Sequence, residues 1–120
     1  MPRTVLVVDD HQSFRRFARR LLEASGFTVL DEAADGASAL AAARRLRPDV
    51  VLLDVLLPDT TGFDVAELLS AEPSRPLVVL TSSRRAGDFS SWLARSSAHG
   101  FITKSELTPA ALTAMIGEAA

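Results

Sequence analysis

Three short, unbroken apolar runs constrain the fold of this 120-residue chain more than any other feature: Val5-Leu6-Val7-Val8, Val50-Val51-Leu52-Leu53 and Leu77-Val78-Val79-Leu80. Runs of this length, rich in β-branched residues and without polar alternation, belong to strands covered on both faces. Thr28 to Ala33 and Gly100 to Thr103 read as two further strands. The segments between them carry helical spacing. From Gln12 to Ser25, Phe14, Phe17, Ala18, Leu21 and Leu22 recur at that period, and Gly26 stands where a helix stops. Ala37 to Leu46 is alanine-rich and closes at Arg47-Pro48. Helices follow from about Phe63 to Ser70 and from Arg85 to Ser97, the latter burying Phe89, Trp92 and Leu93. Thr108-Pro109 is a cap followed by proline at the first helical position, opening a last helix to about Glu118. Five strands alternating with five helices over short connections predict one α/β domain, residues 1–120, with a mostly parallel sheet covered on both faces in three layers.

Composition narrows the chemistry. Apolar residues make up 48% of the chain and charged residues 23%, which argues against disorder. The absence of cysteine excludes disulfide scaffolds, thiolate zinc sites and thiol catalysis. No apolar run reaches the roughly 20 residues of a membrane span, and the N-terminus lacks a secretory pattern, so a soluble cytoplasmic domain is expected. A net charge of −2 gives no electrostatic reason for this chain to bind nucleic acid directly. Of thirteen basic residues only Lys104 is lysine, which singles it out where a compact point charge is needed.

In doubly wound sheets, ligands bind beyond the carboxyl ends of the strands. Those ends carry Asp9 and Asp10 after the first strand, Asp54 after the third, Thr81 after the fourth and Lys104 after the fifth. Each has an ordinary explanation alone: Asp10 as a helix cap, Thr81 as a turn residue, Lys104 as a surface charge. Three converging carboxylates are harder to explain without a cation, because like charges a few ångströms apart resist joint ionisation. An oxygen-only donor set suits a hard divalent ion, Mg²⁺ or Mn²⁺.

This pattern, Val-Asp9-Asp10, Leu-Leu-Asp54, Pro58, Gly62, Thr81 and Lys104, resembles the receiver (CheY-like) domain of bacterial two-component response regulators along essentially the whole chain. Asp10-His11 and Lys104-Ser105-Glu106-Leu107 further resemble the subgroup whose receivers precede a C-terminal helix-turn-helix DNA-binding domain. The resemblance implies a flavodoxin-like fold with strand order 2-1-3-4-5. It implies that Asp54 takes a phosphoryl group from a sensor histidine kinase or phosphotransfer protein. It places Mg²⁺ on Asp9, Asp10, Asp54 and the backbone carbonyl of Leu56, with Lys104 neutralising phosphoryl charge. Thr81 and the aromatic Phe101 would form the switch, and helix 4, strand 5 and helix 5 the surface that changes. Homodimerisation on phosphorylation, through that surface or through helices 1 and 5, fits the same scheme. The output is then transcription, through a domain beyond residue 120, or a protein contact made by a stand-alone receiver.

Several residues depart from the family pattern. Ser105 replaces the usual proline, and a cis bond before it would cost about 3 kcal/mol. Phe101 lacks the hydroxyl of the common tyrosine. The run Thr81-Ser82-Ser83-Arg84-Arg85 reads as a loosely ordered, mobile segment. Arg15, Arg16, Arg19 and Arg20 read as the solvated face of the first helix, the helix on which a kinase docks in this family. His11 reads as a loop side chain beside the acidic pair, and His99 as structural or exposed. Two other classes share the architecture. A magnesium-dependent phosphatase with an aspartate nucleophile needs an acid two residues further on, where this chain has Leu56. A nucleotide-binding module needs a glycine-rich loop, and none is present. A degenerate receiver acting as a phosphorylation-independent binding module is the remaining alternative.

Overall fold

The computed structural model describes residues 3–117. Five strands, β1 (Thr4–Val8), β2 (Thr28–Ala33), β3 (Val50–Asp54), β4 (Leu77–Ser82) and β5 (Gly100–Thr103), form one parallel sheet in the order β2-β1-β3-β4-β5. The continuous apolar runs are central strands because both of their faces are covered. Val5, Val7, Val50, Leu52 and Val79 join one core, while Leu6, Val8, Val51, Leu53 and Leu80 join the other. The helices α1 (Gln12–Ala24) and α5 (Pro109–Ile116) close the first core through Ala18, Leu22, Leu112 and Ile116. The second core is closed by α2 (Gly36–Leu46) and α3 (Gly62–Ser70), through Ala39, Ala42, Ala43, Val65, Ala66 and Leu69.

Local signals set the element ends. Gly26 has φ 94°, and the N–H of Phe27 returns to the carbonyl of Leu22, so the glycine expected to end α1 does so in a left-handed conformation. Asp35, Thr61 and Thr108 accept from the N–H groups of Ser38, Asp64 and Ala111 and cap α2, α3 and α5. Proline follows Thr108 at the first position of α5, as expected. The expected end of that helix at Glu118 lies outside the described residues.

The chain departs from expectation mainly between Arg85 and Ser97. Instead of one helix there is a single 3₁₀ turn, Ala86–Phe89, and then a six-residue helix α4 (Ser90–Arg95). Gly87 disfavours helix, and the Asp88 carboxylate turns back to accept from the N–H of Arg85, ending the tight turn locally. Trp92 is not in the core. It is 52% exposed and stacks on Phe63 with ring centroids 5.5 Å apart, while Phe89 alone of this segment is buried. Phe17 likewise lies outside the α1 core stripe, 48% exposed. The polar run expected to be loose is not uniformly so, because Thr81 and Ser82 are the buried last residues of β4.

Candidate functional site

The carboxyl edge of the sheet brings the sequence-selected residues together. Asp9, the residue after β1, is wholly buried, and its N–H donates to Ala33 at the end of β2. Asp54 is the last residue of β3, directly beside Thr81 in the β3–β4 register. Lys104 follows β5 and returns its ammonium to the strand ends. Its Nζ lies 2.6 Å from Asp9 Oδ2 and 3.4 Å from Asp54 Oδ2, while also lying 4.5 Å from the centre of the Phe14 ring. The contact with Asp9 is an ion pair without directed hydrogen-bond geometry, and Asp9 Oδ2 has no hydrogen-bond partner. Asp10 sits outside this buried pair, partly exposed, with Oδ1 3.1 Å from His11 Nδ1. It does not cap α1; His11 occupies the cap position and its side chain makes no capping bond.

Electrostatics at Asp54 are unusual for a carboxylate. Its pKa is raised from 3.8 to about 6, first by burial and then by the charge of Asp9. The Lys104 ammonium and the N–H of Leu56, 3.4 Å from Oδ1, act in the opposite direction without cancelling it. Two like charges facing one ammonium favour a second cation. One oxygen each of Asp9, Asp10 and Asp54 and a nitrogen of His11 all lie within 4.8 Å of one another. The three carboxylate oxygens of this set fit a hard divalent ion. A cleft of about 250 Å³ opens onto Asp10, His11, Asp54 and Lys104 between Leu56, Pro58 and Ser83.

Neighbouring residues hold the edge in place. A Cβ on Gly62 would stand 2.4 Å from the carbonyl oxygen of Asp54, so the start of α3 packs directly against the backbone of Asp54. Asp59 accepts from the N–H groups of Gly36 and Ala37 at 2.8 and 3.0 Å, tying the loop after β3 to α2. The Gly36 bond is the main cause of the lowered pKa of Asp59. Thr81 Oγ1 is buried without a partner, and Phe101, half-buried on β5, lies 6.1 Å from the ring of Phe89. The bond between Lys104 and Ser105 is trans.

Periodicity does not single out Arg15 and Glu32, yet both bear on the site. Arg15 Nη1 donates to the backbone carbonyl of Asp9 at 2.6 Å, and its Nε pairs with Glu32 on β2 at 3.1 Å. Arg19 shares the same Glu32 at 2.7 Å. Only Arg16 and Arg20 therefore form the solvated face expected of all four arginines. The spacing of Arg15 and Arg19, four apart on one helix face, was the available clue to a shared acidic partner.

The response regulator receiver domain profile matches residues 5–117. This chain belongs to the response regulator receiver family. It is 47% identical over 88 residues to the probable transcriptional regulatory protein TcrX of Mycobacterium tuberculosis, a match covering 72% of this chain and 37% of TcrX. The DNA-binding response regulator MtrA of Mycolicibacterium smegmatis is 43% identical over 82 residues, covering 68% of this chain and 36% of MtrA. A protein-glutamate methylesterase/protein-glutamine glutaminase of Anaeromyxobacter dehalogenans is 45% identical over 83 residues, 68% of this chain and 24% of that enzyme. The chain thus spans about a quarter to a little over a third of these relatives, whose names describe different activities. Among solved structures, the signal receiver domain of NarL from M. tuberculosis superposes with a TM-score of 0.85 at 32% identity, covering 98% of each chain. The flavodoxin-like fold with order 2-1-3-4-5 and the receiver assignment are therefore as expected.

Proposed function

We propose that residues 1–120 form one receiver domain in which Asp54 accepts a phosphoryl group from a histidine kinase or phosphotransfer protein. One observation carries the reading: a buried carboxylate with a raised pKa shares one lysine ammonium with a second buried carboxylate, at the mouth of a small cleft. A Mg²⁺ ion would be held by Asp9, Asp10, Asp54 and the Leu56 carbonyl, supplying positive charge to the transferring oxygens and keeping Asp54 ionised. In the transfer, an Asp54 carboxylate oxygen attacks phosphorus, the donor's P–N bond breaks, and the histidine nitrogen leaves with the electron pair. The Lys104 ammonium then faces the new phosphoryl oxygens.

The readout begins at Thr81, whose partnerless hydroxyl is free to donate to a phosphoryl oxygen. Its movement would release space for Phe101, which packs on Phe89 in the loosely built segment before α4. The surface of α4, β5 and α5 would then change its affinity for an output domain, a protein partner or a second copy of the chain. Similarity to TcrX and MtrA favours transcription as the output, in the cytoplasm. Among the described residues no helix is long and apolar enough to cross a membrane. Because Asp54 is consumed and regenerated, the chain is a phosphoacceptor and not a catalyst acting on an outside substrate. Leu56, half-exposed hydrocarbon beside the site, supplies no acid for a phosphatase.

Incubation with acetyl phosphate and Mg²⁺ followed by intact-protein mass spectrometry tests the proposal. The expected result is one added phosphoryl group, absent in Asp54→Asn and absent without the metal. An adduct that persists in Asp54→Asn would place the acceptor elsewhere. No adduct from acetyl phosphate or a phosphorylated histidine donor would favour a phosphorylation-independent binding module.

A further inference from the structure

The carbonyl oxygen of Asp9 lies past the end of β1 and before the start of α1, and among the described residues no backbone N–H donates to it. Arg15 on α1 fills that place. Its Nη1 donates to the Asp9 carbonyl at 2.6 Å, while its Nε donates to Glu32 Oε1 on β2 at 3.1 Å. Both side chains are largely covered, 16% of Arg15 and 25% of Glu32 being accessible. Arg19 donates to the other oxygen of Glu32 at 2.7 Å, but its second contact is the carbonyl of Val29 and not that of Asp9. One planar fork, that of Arg15, therefore ties α1 and β2 to the turn after β1. Asp10 inherits this restraint. The Asp9 carbonyl and the Asp10 N–H belong to one rigid peptide plane, so holding the carbonyl sets the direction in which Asp10 leaves the turn. Asp10 is partly exposed and belongs to no strand or helix, so it lacks the packing that fixes Asp54. An unpaired cation beside an acidic turn would repel a metal ion, and Glu32 supplies the opposite charge.

We propose that Arg15 is a positioning residue for the acidic turn, with Glu32 as its counter-charge: the pair fixes the peptide between Asp9 and Asp10 and so arranges both carboxylates before a divalent ion arrives. The inference rests on Asp9 and Asp10 being metal ligands, and adds to that reading what holds them. Arg15 is not itself a ligand; it acts through the Asp9 carbonyl. The ordering of the turn is then met on folding and not on metal binding. Charge and position predict opposite outcomes here. Were Arg15 only a nearby cation, its removal would tighten metal binding; as a positioning residue, its removal weakens it.

The test is isothermal titration of the metal-free chain with MgCl₂, comparing wild type with Arg15→Met, which keeps the hydrocarbon stem and loses both bonds. Arg15→Met is expected to weaken Mg²⁺ binding by about tenfold, the scale on which residues that orient metal ligands alter affinity. Arg19→Met loses a bond to the same Glu32 but none to Asp9, and should change Mg²⁺ binding by less than about twofold. Glu32→Gln is a second route to the same effect: alone it should weaken binding several-fold, and in the Arg15→Met background it should add less than about twofold, because the two residues act as one unit. Phosphoryl uptake from acetyl phosphate, followed by intact mass over a range of MgCl₂, should show the same rise in the Mg²⁺ midpoint. Equal or tighter Mg²⁺ binding in Arg15→Met, or equal losses in Arg15→Met and Arg19→Met, overturns the positioning role, and phosphoryl uptake by the wild type then leaves the acceptor reading standing. A wild-type chain that binds no Mg²⁺ overturns the metal reading and this inference together. Thermal melting without metal verifies that the variants are folded.

Discussion

The carboxyl ends of β1 and β3 and the segment from Ser83 to Ser97 lie in one small domain but are built in opposite ways. Val8, Asp9, Leu53, Asp54 and Val55 are all buried, and Val8 and Leu53 are paired with strands on either side. From Ser83 to Ser97 only Phe89 is buried, and the backbone manages one 3₁₀ turn and a six-residue helix. Phosphoryl chemistry needs charges fixed before the reaction, and close packing supplies that. A signalling surface needs two arrangements of similar free energy, which a tightly packed element does not offer. Stability has been placed where the charges are and withheld from the face proposed to move. Phe101 and Phe89 join the two regions, as one lies on β5 and the other in the loose segment.

Mutations at the two ends should therefore differ in kind. Leu53→Ala removes a fully buried side chain one residue before Asp54 and should cost about 2–5 kcal/mol in denaturant unfolding. A cost below 1 kcal/mol would mean that the strand end is not the rigid region. Gly62→Ala should cost about 1–3 kcal/mol and slow phosphoryl uptake, because the new methyl meets the backbone oxygen of Asp54. Unchanged uptake kinetics would separate the helix start from the acceptor geometry.

Asp54 itself should behave as a destabilising charge. Its folded pKa is about 6 against an ordinary 3.8, so the native state binds the proton more tightly than the unfolded chain does. The contribution of this group to stability is therefore greatest below about pH 4 and declines until about pH 6. In metal-free protein at pH 7, Asp54→Asn should raise stability by about 1–2 kcal/mol after allowing for solvent screening. It should also remove that part of the pH dependence, and a less stable variant would contradict the electrostatic account. The smallest effect belongs to the loose segment. Trp92→Ala should cost less than about 1 kcal/mol, since its ring is half in solvent. A cost matching that of Leu53→Ala would erase the contrast between the two regions.

The two regions also differ in how well the sequence announces them. The strand ends are legible because a parallel strand covered on both faces leaves an uninterrupted apolar run, and a charge closing it can only be an edge residue. Asp9 and Asp54 are legible in this way, Thr81 and Lys104 as the polar residues at the ends of β4 and β5, and the structure joins Asp9, Asp54 and Lys104 and sets Thr81 beside Asp54 in the sheet. The caps at Thr61 and Thr108 are equally local, one residue accepting from the N–H three positions on. Long-range partnerships leave no such trace. That Glu32 would draw Arg15 and Arg19 out of the solvated face depends on β2 passing beside α1, and that Gly62 would touch Asp54 depends on the loop between them. In the weak segment, period alone placed Trp92 and Leu93 in one buried stripe. Gly87 and the serines around α4 shortened the helix, and Trp92 turned onto Phe63 at the surface.

Backbone hydrogen exchange, measured before and after acetyl phosphate and Mg²⁺ have brought the chain to full phosphorylation by mass, tests the division between a fixed site and a movable face most directly. Exchange from Ser83 to Ser97 and around Phe101 should change by tenfold or more, on the order of 1.4 kcal/mol of local opening free energy, while the cores of β1 and β3 keep their protection. Equal changes in both regions, or none in the segment from Ser83 to Ser97, would contradict it.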